Sequence, residues 1–345
     1  MFADLRCAVK DSGTGVGKGR PPGGRIWVHD RADMLGRPPM NWKQIALCAA
    51  AAMGALVLVS VVAKVVWDAR CFRGYDATLP LEATEEVLQR NQLLTQYKVR
   101  FCSTPTETVP ALLDVPVRGT GPFPCLVFLH GIGQEKEFLN DIAQPFMQAG
   151  FSMLTFDQVG RGERKVADPQ GLEVLKQLRR RCAQTVIDTR RAVDYLTTRQ
   201  DVDSNRLALV GASLGGIVGV DAVAMEPRFR AAWIIYAGGN IPLILRDNPL
   251  LGTPGFYGRV AGRAGGFLLK PIDPRYHVAQ VAPRPILLQN GKRDRVIPPE
   301  CAQQLQDRAK EPKTVKWYDS DHLGDDPAVV RQVLADGIAW LQSQQ

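Results

Sequence analysis

Residues 206–225 constrain this chain more than any other stretch. Arg206–Val210 (RLALV) is a short apolar run of strand length. Gly211-Ala212-Ser213-Leu214-Gly215 follows as G-x-S-x-G, and Gly216–Met225 (GIVGVDAVAM) then reads as a helix packed on its apolar side. A strand that turns this sharply into a helix brings backbone against backbone. Side chains at 211 and 215 would collide there, and glycine removes them. The turn also sets the Ser213 hydroxyl at a helix N-terminus, where free N–H groups and the helix dipole favour developing negative charge. Ser213 is therefore a candidate nucleophile.

A serine nucleophile needs a base, an acid that orients the base, and donors for an oxyanion. After such a turn the expected order is serine, then acid, then histidine. The chain has four histidines. His29 lies in a polar tail, and His277 sits in DPRYHVAQV as a packing or surface residue. His130 precedes the nucleophile. His322 remains, on a loop after the strand-like run Thr314–Tyr318 (TVKWY). The acid is Asp294, which follows the apolar strand Pro285–Asn290 (PILLQN). Asp319 and Asp321 are rivals by proximity, but neighbours of a loop histidine seldom fold back onto its ring. Asp247 lies far beyond the strand Ala232–Ala237 and is a weaker rival. His130-Gly131-Ile132-Gly133-Gln134 follows the strand CLVFL and opens a loop into the helical stretch Phe138–Gln148. Two backbone amides, of Ile132 and Leu214, are the candidate oxyanion donors.

With these parts placed, the chain resembles the α/β-hydrolase superfamily from about Gln96 onward. It is most similar to the branch that holds dienelactone-hydrolase-like proteins, acetyl-xylan-esterase-like proteins and prolyl-oligopeptidase-type catalytic domains. GPFPCLVFLHGIG (121–133), FDQVGRGER (156–164), DTRRAVDYLTTRQDVDSNRLALVGASLGG (188–216), VAPRPILLQNGKRDRVIPP (281–299) and SDHLG (320–324) carry the resemblance. It implies Ser213 as nucleophile, Asp294 as acid, His322 as base, and Ile132 and Leu214 as oxyanion donors. It also implies that the loop bearing Asp157 is structural, with Arg161 and Glu163 as bracing charges. The chain departs from dienelactone hydrolases proper, whose nucleophile is cysteine. It also has too few residues ahead of the hydrolase pattern for a prolyl-oligopeptidase propeller.

The remaining pattern fits that frame. Strand-like runs at 124–129, 152–156, 206–210, 232–237, 285–290 and 314–318 alternate with helical stretches. This predicts an α/β-hydrolase fold: a mainly parallel, twisted sheet with helices on both faces. Gln96–Ser103 and Val109–Pro116 read as an antiparallel edge hairpin. The Gly- and Pro-rich insertion at about 240–284 reads as a cap beside the acyl pocket, since a segment this long inside a domain is usually functional. Leu250, Phe256, Tyr257 and Phe267 are its candidate pocket residues, with Leu251 and Leu268 beside them.

Ahead of this lie residues 1–44, a basic tail or a mis-assigned start, and 45–66, a hydrophobic segment. Residues 67–95 read as a linker and extension, and 96–345 as the hydrolase domain. Ile45–Ala63 carries no charge and is long enough to cross a bilayer core of about 30 Å as a helix. The reading is a membrane anchor with the hydrolase domain outside the cytoplasm. The alternative is an exported protein whose signal peptide is cleaved after Val61-Val62-Ala63. SGTGVGKGR (12–20) fails as a phosphate loop, because Ser12 stands at its first glycine and Gly19 at its Ser/Thr.

The net charge of +8 is scattered. Its densest cluster, Arg179–Arg181 with Arg190 and Arg191, reads as a solvated helix face, and nothing points to nucleic acid. The seven cysteines show no metal-ligand spacing, so neither a metal nor a cofactor is expected. Cys71 and Cys102 are a candidate disulfide in an exported domain. Three functions follow: hydrolysis of small-molecule carboxylic esters, a membrane-tethered serine peptidase of prolyl-oligopeptidase type, and a non-catalytic binding protein on a hydrolase fold.

Overall fold

A computed structural model describes residues 41–167, 173–246, 256–323 and 326–344, without the side chains of Phe256, Tyr257 and Ala261. The chain divides into two compact units, Met1–Val59 and Ser60–Gln345. Helix α1 (Trp42–Ala69) supplies the described part of the first unit and enters the second. None of its residues is buried. Its most apolar window has a mean hydropathy of 2.6, so it is long and apolar enough to cross a membrane.

The second unit is built on a nine-stranded sheet of order β1-β2-β3-β5-β4-β6-β7-β8-β9. β2 (Leu94–Thr104) and β3 (Glu107–Pro116) form the antiparallel hairpin expected from the sequence. β1 (Thr84–Arg90) pairs antiparallel with β2 as an edge strand in the stretch read as a linker. Its sequence, TEEVLQR, is exposed throughout and sets its two apolar residues, Val87 and Leu88, side by side, so it lacks the apolar alternation that marks a half-buried strand. From β4 (Phe123–Leu129) the pairing turns parallel, through β5 (Ser152–Phe156), β6 (Val202–Ala212), β7 (Phe229–Ile235), β8 (Ile286–Gly291) and β9 (Lys313–Tyr318). The central strands are near-continuous apolar runs because both faces are covered. One face packs on α2 (Leu139–Gln148) and α8 (Pro327–Gln342), which contribute Ile142, Phe146, Val333 and Leu341. The other packs on α3 (Glu173–Leu196), α4 (Leu214–Met225) and α7 (Pro299–Arg308), with Val186, Val218 and Leu305 in its core. Between β7 and β8 the insertion forms α5 (Ile241–Arg246), α6 (Phe256–Leu268) and a run of single-turn helices.

The arginine cluster on α3 is a solvated face only in part, with Arg180 exposed and Arg181 and Arg190 half-buried. Arg179 and Arg191 are buried, at 5% and 1% exposure. Arg191 donates to the carbonyls of Asp76, Leu79 and Cys102 and pairs with Asp194 at 2.7 Å. It thereby ties residues 76–79 to the helix. Arg179 pairs with Asp68 at 2.9 Å, stacks on the Trp67 ring and donates to the Leu268 carbonyl. A guanidinium offers five donors in a planar fork, so one buried arginine can satisfy several loop carbonyls that have no strand or helix partner. Cys71 and Cys102 are free thiols rather than a disulfide.

Asp221 of α4 is fully buried, and neither carboxyl oxygen has a hydrogen-bond partner among the described residues. Burial, with the Asp273 charge behind it, raises its pKa well above the ordinary 3.8. Below pH 3.8 this carboxyl is protonated in both folded and unfolded states. As pH rises the unfolded chain releases its proton first, so stability falls until the folded-state carboxyl also ionises. Asp221→Asn removes that loss. In denaturant titrations of the detergent-solubilised chain, the variant unfolds at a higher midpoint than wild type at pH 7. The gap narrows toward pH 4. Equal midpoints at pH 7 would contradict this account of Asp221.

Candidate active site

Parallel strands that share a sheet present their C-terminal ends along one edge, and that edge gathers the predicted residues. Ser213 follows β6, Ile132 follows β4, Asp294 follows β8 and His322 follows β9. Ser213 has φ 54° and ψ −119°, a backbone state rarely adopted by residues other than glycine. The flanking glycines make room for it. A Cβ on Gly211 would stand 2.5 Å from the Gly215 carbonyl oxygen, and one on Gly215 would overlap the Leu129 and His130 backbone. The Ser213 N–H donates to the Ile235 carbonyl at 2.8 Å, which pins the turn to β7.

Three side chains then form a line of hydrogen bonds. His322 Nε2 lies 3.0 Å from Ser213 Oγ, and His322 Nδ1 lies 2.8 Å from Asp294 Oδ2. Asp294 is 3% exposed, and its second oxygen accepts the N–H groups of Val296 and Ile297 at 2.9 and 2.8 Å. A carboxylate fixed at one oxygen by two amides aims the other at the imidazole. The rival acids do other things. Asp319 forms an exposed pair with Arg293 at 3.3 Å. Asp321 accepts the N–H groups of Arg295 and His322 at 2.9 and 2.8 Å and pairs with the Arg295 side chain. The Arg295 N–H foremost lowers its pKa, so it is an anion that braces the loop. Asp247 lies outside the described residues.

Beside Ser213, the Ile132 and Leu214 amides have no acceptor among the described residues. The Ile132 loop is held from two sides. Gln134 accepts the Gly131 N–H at 2.9 Å, and Gln158 donates to the His130 carbonyl at 2.9 Å. Burial lowers the His130 pKa and keeps that ring neutral. Asp157 accepts the N–H groups of Lys136 and Glu163 and pairs with the Lys136 ammonium at 2.9 Å. Burial alone would lower the Lys136 pKa, but contacts with Glu137, Asp157 and Glu163 raise it. Glu163 also pairs with Arg100 and Lys98, so it braces this loop. Among the described residues Arg161 shows only backbone bonds, to Gln158 and Arg164.

Among the described residues two cavities open at Ser213. One, of about 560 Å³, is lined by Phe128, Phe138, Ile142, Leu323 and α8 side chains, with His322 at its wall. The other, of about 120 Å³, reaches from Ser213 under α5. The insertion thus lines a cavity, but through Ile241, Ile244 and Leu245. Of the residues expected there, Phe267 is 59% exposed, sits against the Lys64 ammonium and lies outside both cavities. Leu268 packs against the main core. Phe256 and Tyr257 begin α6, and Leu250 and Leu251 lie outside the described residues.

The backbone compares with solved structures over most of its length. An acetyl xylan esterase from Paenibacillus sp. R4 superposes with a TM-score of 0.64 at 18% identity, covering 80% of this chain and 93% of that one. The chain has the α/β-hydrolase fold. Residues 121–244 match the family described as serine aminopeptidase, S33, a stretch that holds Ser213 and ends before Asp294 and His322. The uncharacterized protein YfhR of Salmonella typhimurium (strain LT2) is 35% identical over 39% of the chain. That match spans 47% of YfhR, about half its length. Esterase YjfP of Escherichia coli (strain K12) is 25% identical over 59% of the chain and 82% of its own.

The structure adds groups that the sequence reading did not single out. Tyr236, directly after β7 at φ 49°, hydrogen-bonds Ser320 and stands edge-on to the His322 ring at 6.0 Å. Its place at a strand end is the signal that marks it. Val330, Val333 and Leu334 of α8 wall the larger cavity. Their i, i+3, i+4 spacing was legible as an apolar helix face, but not as facing a cavity.

Proposed function

We propose that this hydrolase cleaves carboxylic esters through a covalent intermediate on Ser213. One observation carries the reading: the hydrogen-bonded line Asp294–His322–Ser213 ends beside two unpaired amides at the mouth of largely apolar cavities. Ser213 Oγ attacks the ester carbonyl carbon while His322 Nε2 takes its proton. The carbonyl oxygen becomes an oxyanion between the Ile132 and Leu214 amides, which are already oriented and need no reorganisation. His322 then gives its proton to the departing alkoxide oxygen, the C–O bond breaks, and an alcohol leaves. Water repeats the sequence on the acyl-enzyme and releases the acid. Asp294 holds the imidazole tautomer and stabilises the imidazolium throughout.

The family match to serine aminopeptidases supports a second reading, cleavage of a peptide from its N-terminus. An aminopeptidase needs a carboxylate free to bind the substrate ammonium. Asp321 is the acidic residue lining the larger cavity among those described, and Arg295 already holds it. Esters, which bring no such charge, fit these walls better. We also propose that α1 anchors the protein in a membrane with the hydrolase unit outside the cytoplasm. The helix's length, its mean hydropathy of 2.6 and its lack of buried residues support the anchor, and the basic residues ahead of it support the orientation.

A fluorophosphonate probe labels wild type and leaves Ser213→Ala unlabelled. Labelling of the variant at wild-type strength would sink the nucleophile assignment. Against p-nitrophenyl esters, Asp294→Asn lowers kcat by orders of magnitude with little change in KM. The equivalent change in the serine-protease example costs about 10⁴. Asp319→Asn and Asp321→Asn stay within about tenfold of wild type, since exposed charges act through screened fields worth under about 1 kcal/mol. A large loss at Asp321 would mean that another acid orients His322. Aminoacyl-nitroanilides cleaved faster than any ester would favour the peptidase. The full-length chain pellets with membranes and resists alkaline wash, whereas a soluble product lacking residues up to Ala63 would identify the segment as a cleaved leader.

A further inference from the structure

Ser213 stands between two cavities, and only one of them contains His322. His322, Leu323 and the α8 side chains Val330, Val333 and Leu334 line the larger. The smaller is lined by Leu214, Ile217 and Cys182 on one side and by Ile241, Ile244 and Leu245 of α5 on the other. Both touch Ile132, Ser213 and Val296. The cavities are therefore two arms that meet at the serine.

This asymmetry decides which half of an ester goes where, given the reaction proposed above. The tetrahedral adduct carries the Ser213 oxygen, the oxyanion, the alkoxide oxygen and the acyl carbon chain. His322 Nε2 must protonate the alkoxide oxygen, so that group lies in the arm that holds His322. The oxyanion faces the Ile132 and Leu214 amides. The acyl chain is left with the arm that His322 does not enter.

We propose that the substrates are esters of an unbranched, uncharged acyl chain of about four to six carbons, seated among α3, α4 and α5, with a larger alcohol on the α8 side. Size sets the chain length. An apolar cavity of about 150 Å³ stays dry and accepts benzene, so about 120 Å³ accepts a chain somewhat smaller than that ring. Chemistry sets the character. Among the described residues that line this arm, none apart from Ser213 carries a hydroxyl and none is charged, so a charged or hydroxylated acyl group would lose its hydration without compensation. Each methylene that enters is worth about fourfold in binding. The larger arm, about 560 Å³, leaves room for an alcohol bulkier than the acyl group.

The test uses the full-length protein in detergent micelles. kcat/KM is measured for p-nitrophenyl acetate, butyrate, hexanoate and decanoate, and for butyrate esters of methanol, phenol and naphthol. Wild type rises about fourfold per methylene to butyrate or hexanoate and falls at least tenfold by decanoate. Ile244→Trp fills the smaller arm and lowers the butyrate-to-acetate ratio at least tenfold. Ile244→Ala enlarges it and moves the optimum to longer chains. Leu334→Trp lowers the naphthyl-to-methyl ratio and leaves the acyl optimum where it was. An acyl optimum that moves with Leu334→Trp and not with either Ile244 variant would reverse the two arms and overturn the proposal. A wild-type profile that is flat, or still rising at decanoate, also overturns it. Both results leave ester hydrolysis itself standing. A wild type that cleaves no ester in either series removes that reading and this one together.

Discussion

Parallel pairing from β4 through β9 is the constraint on which the site depends. Each parallel strand needs a crossover to return the chain, so every strand's C-terminal end opens into a loop on the same edge. Ile132, Ser213, Tyr236, Asp294 and His322 all occupy such loops, although up to 190 positions separate them in the chain. The strands supply rigidity and the loops supply chemistry. Both faces of the central strands are packed under helices, so a shift of register by one residue would exchange side chains fitted to two different layers, and the packing that stabilises the sheet also fixes where the loop residues stand.

The parts of this arrangement that were legible in the sequence are those with a local physical cause. The apolar runs of β4 to β8 announce themselves because both faces are buried, and the G-x-S-x-G turn because backbone contact excludes side chains at 211 and 215. Asp294 and His322 are singled out by their places after strands, and the structure sets His322 within hydrogen-bond distance of both Asp294 and Ser213. The insertion between β7 and β8 was legible as an interruption, but its inward face was not. Phe267, large and apolar, points to solvent beside Lys64, while the modest Ile241, Ile244 and Leu245 line the cavity. Side-chain size does not say which face of a short helix turns inward. Tertiary packing decides that: α6 covers one side of α5, and the side chains across the cavity from it, Cys182, Leu214 and Ile217, come from α3 and α4.

Charge was the other place where the linear pattern misled. Five arginines on one helix read as a solvated face, yet Arg179 and Arg191 are buried and act as connectors. The stretch between α1 and β1 packs Cys71, Phe72 and Leu81 against the core and holds no regular structure of its own. Two of its carbonyls also converge on the Arg191 fork, while Asp68 and the Trp67 ring at the end of α1 converge on Arg179. Breaking such a connection leaves several carbonyls and a buried cation unsatisfied together, a larger cost than any one of the bonds implies.

The backbone of Ser213 carries a consequence of its own. A residue with a Cβ held at φ 54° and ψ −119° costs on the order of 1–3 kcal/mol that glycine would avoid. If folding stability were all that mattered at this position, glycine would serve better than serine, as it does at 211 and 215. The most stable sequence for this fold is therefore not the sequence it has. The difference is confined to one hydroxyl, set where the strand ends and the helix begins. Read thermodynamically, Ser213 is a standing deficit in the fold, and on the reading proposed above that deficit is what setting a reactive hydroxyl at this point costs in stability.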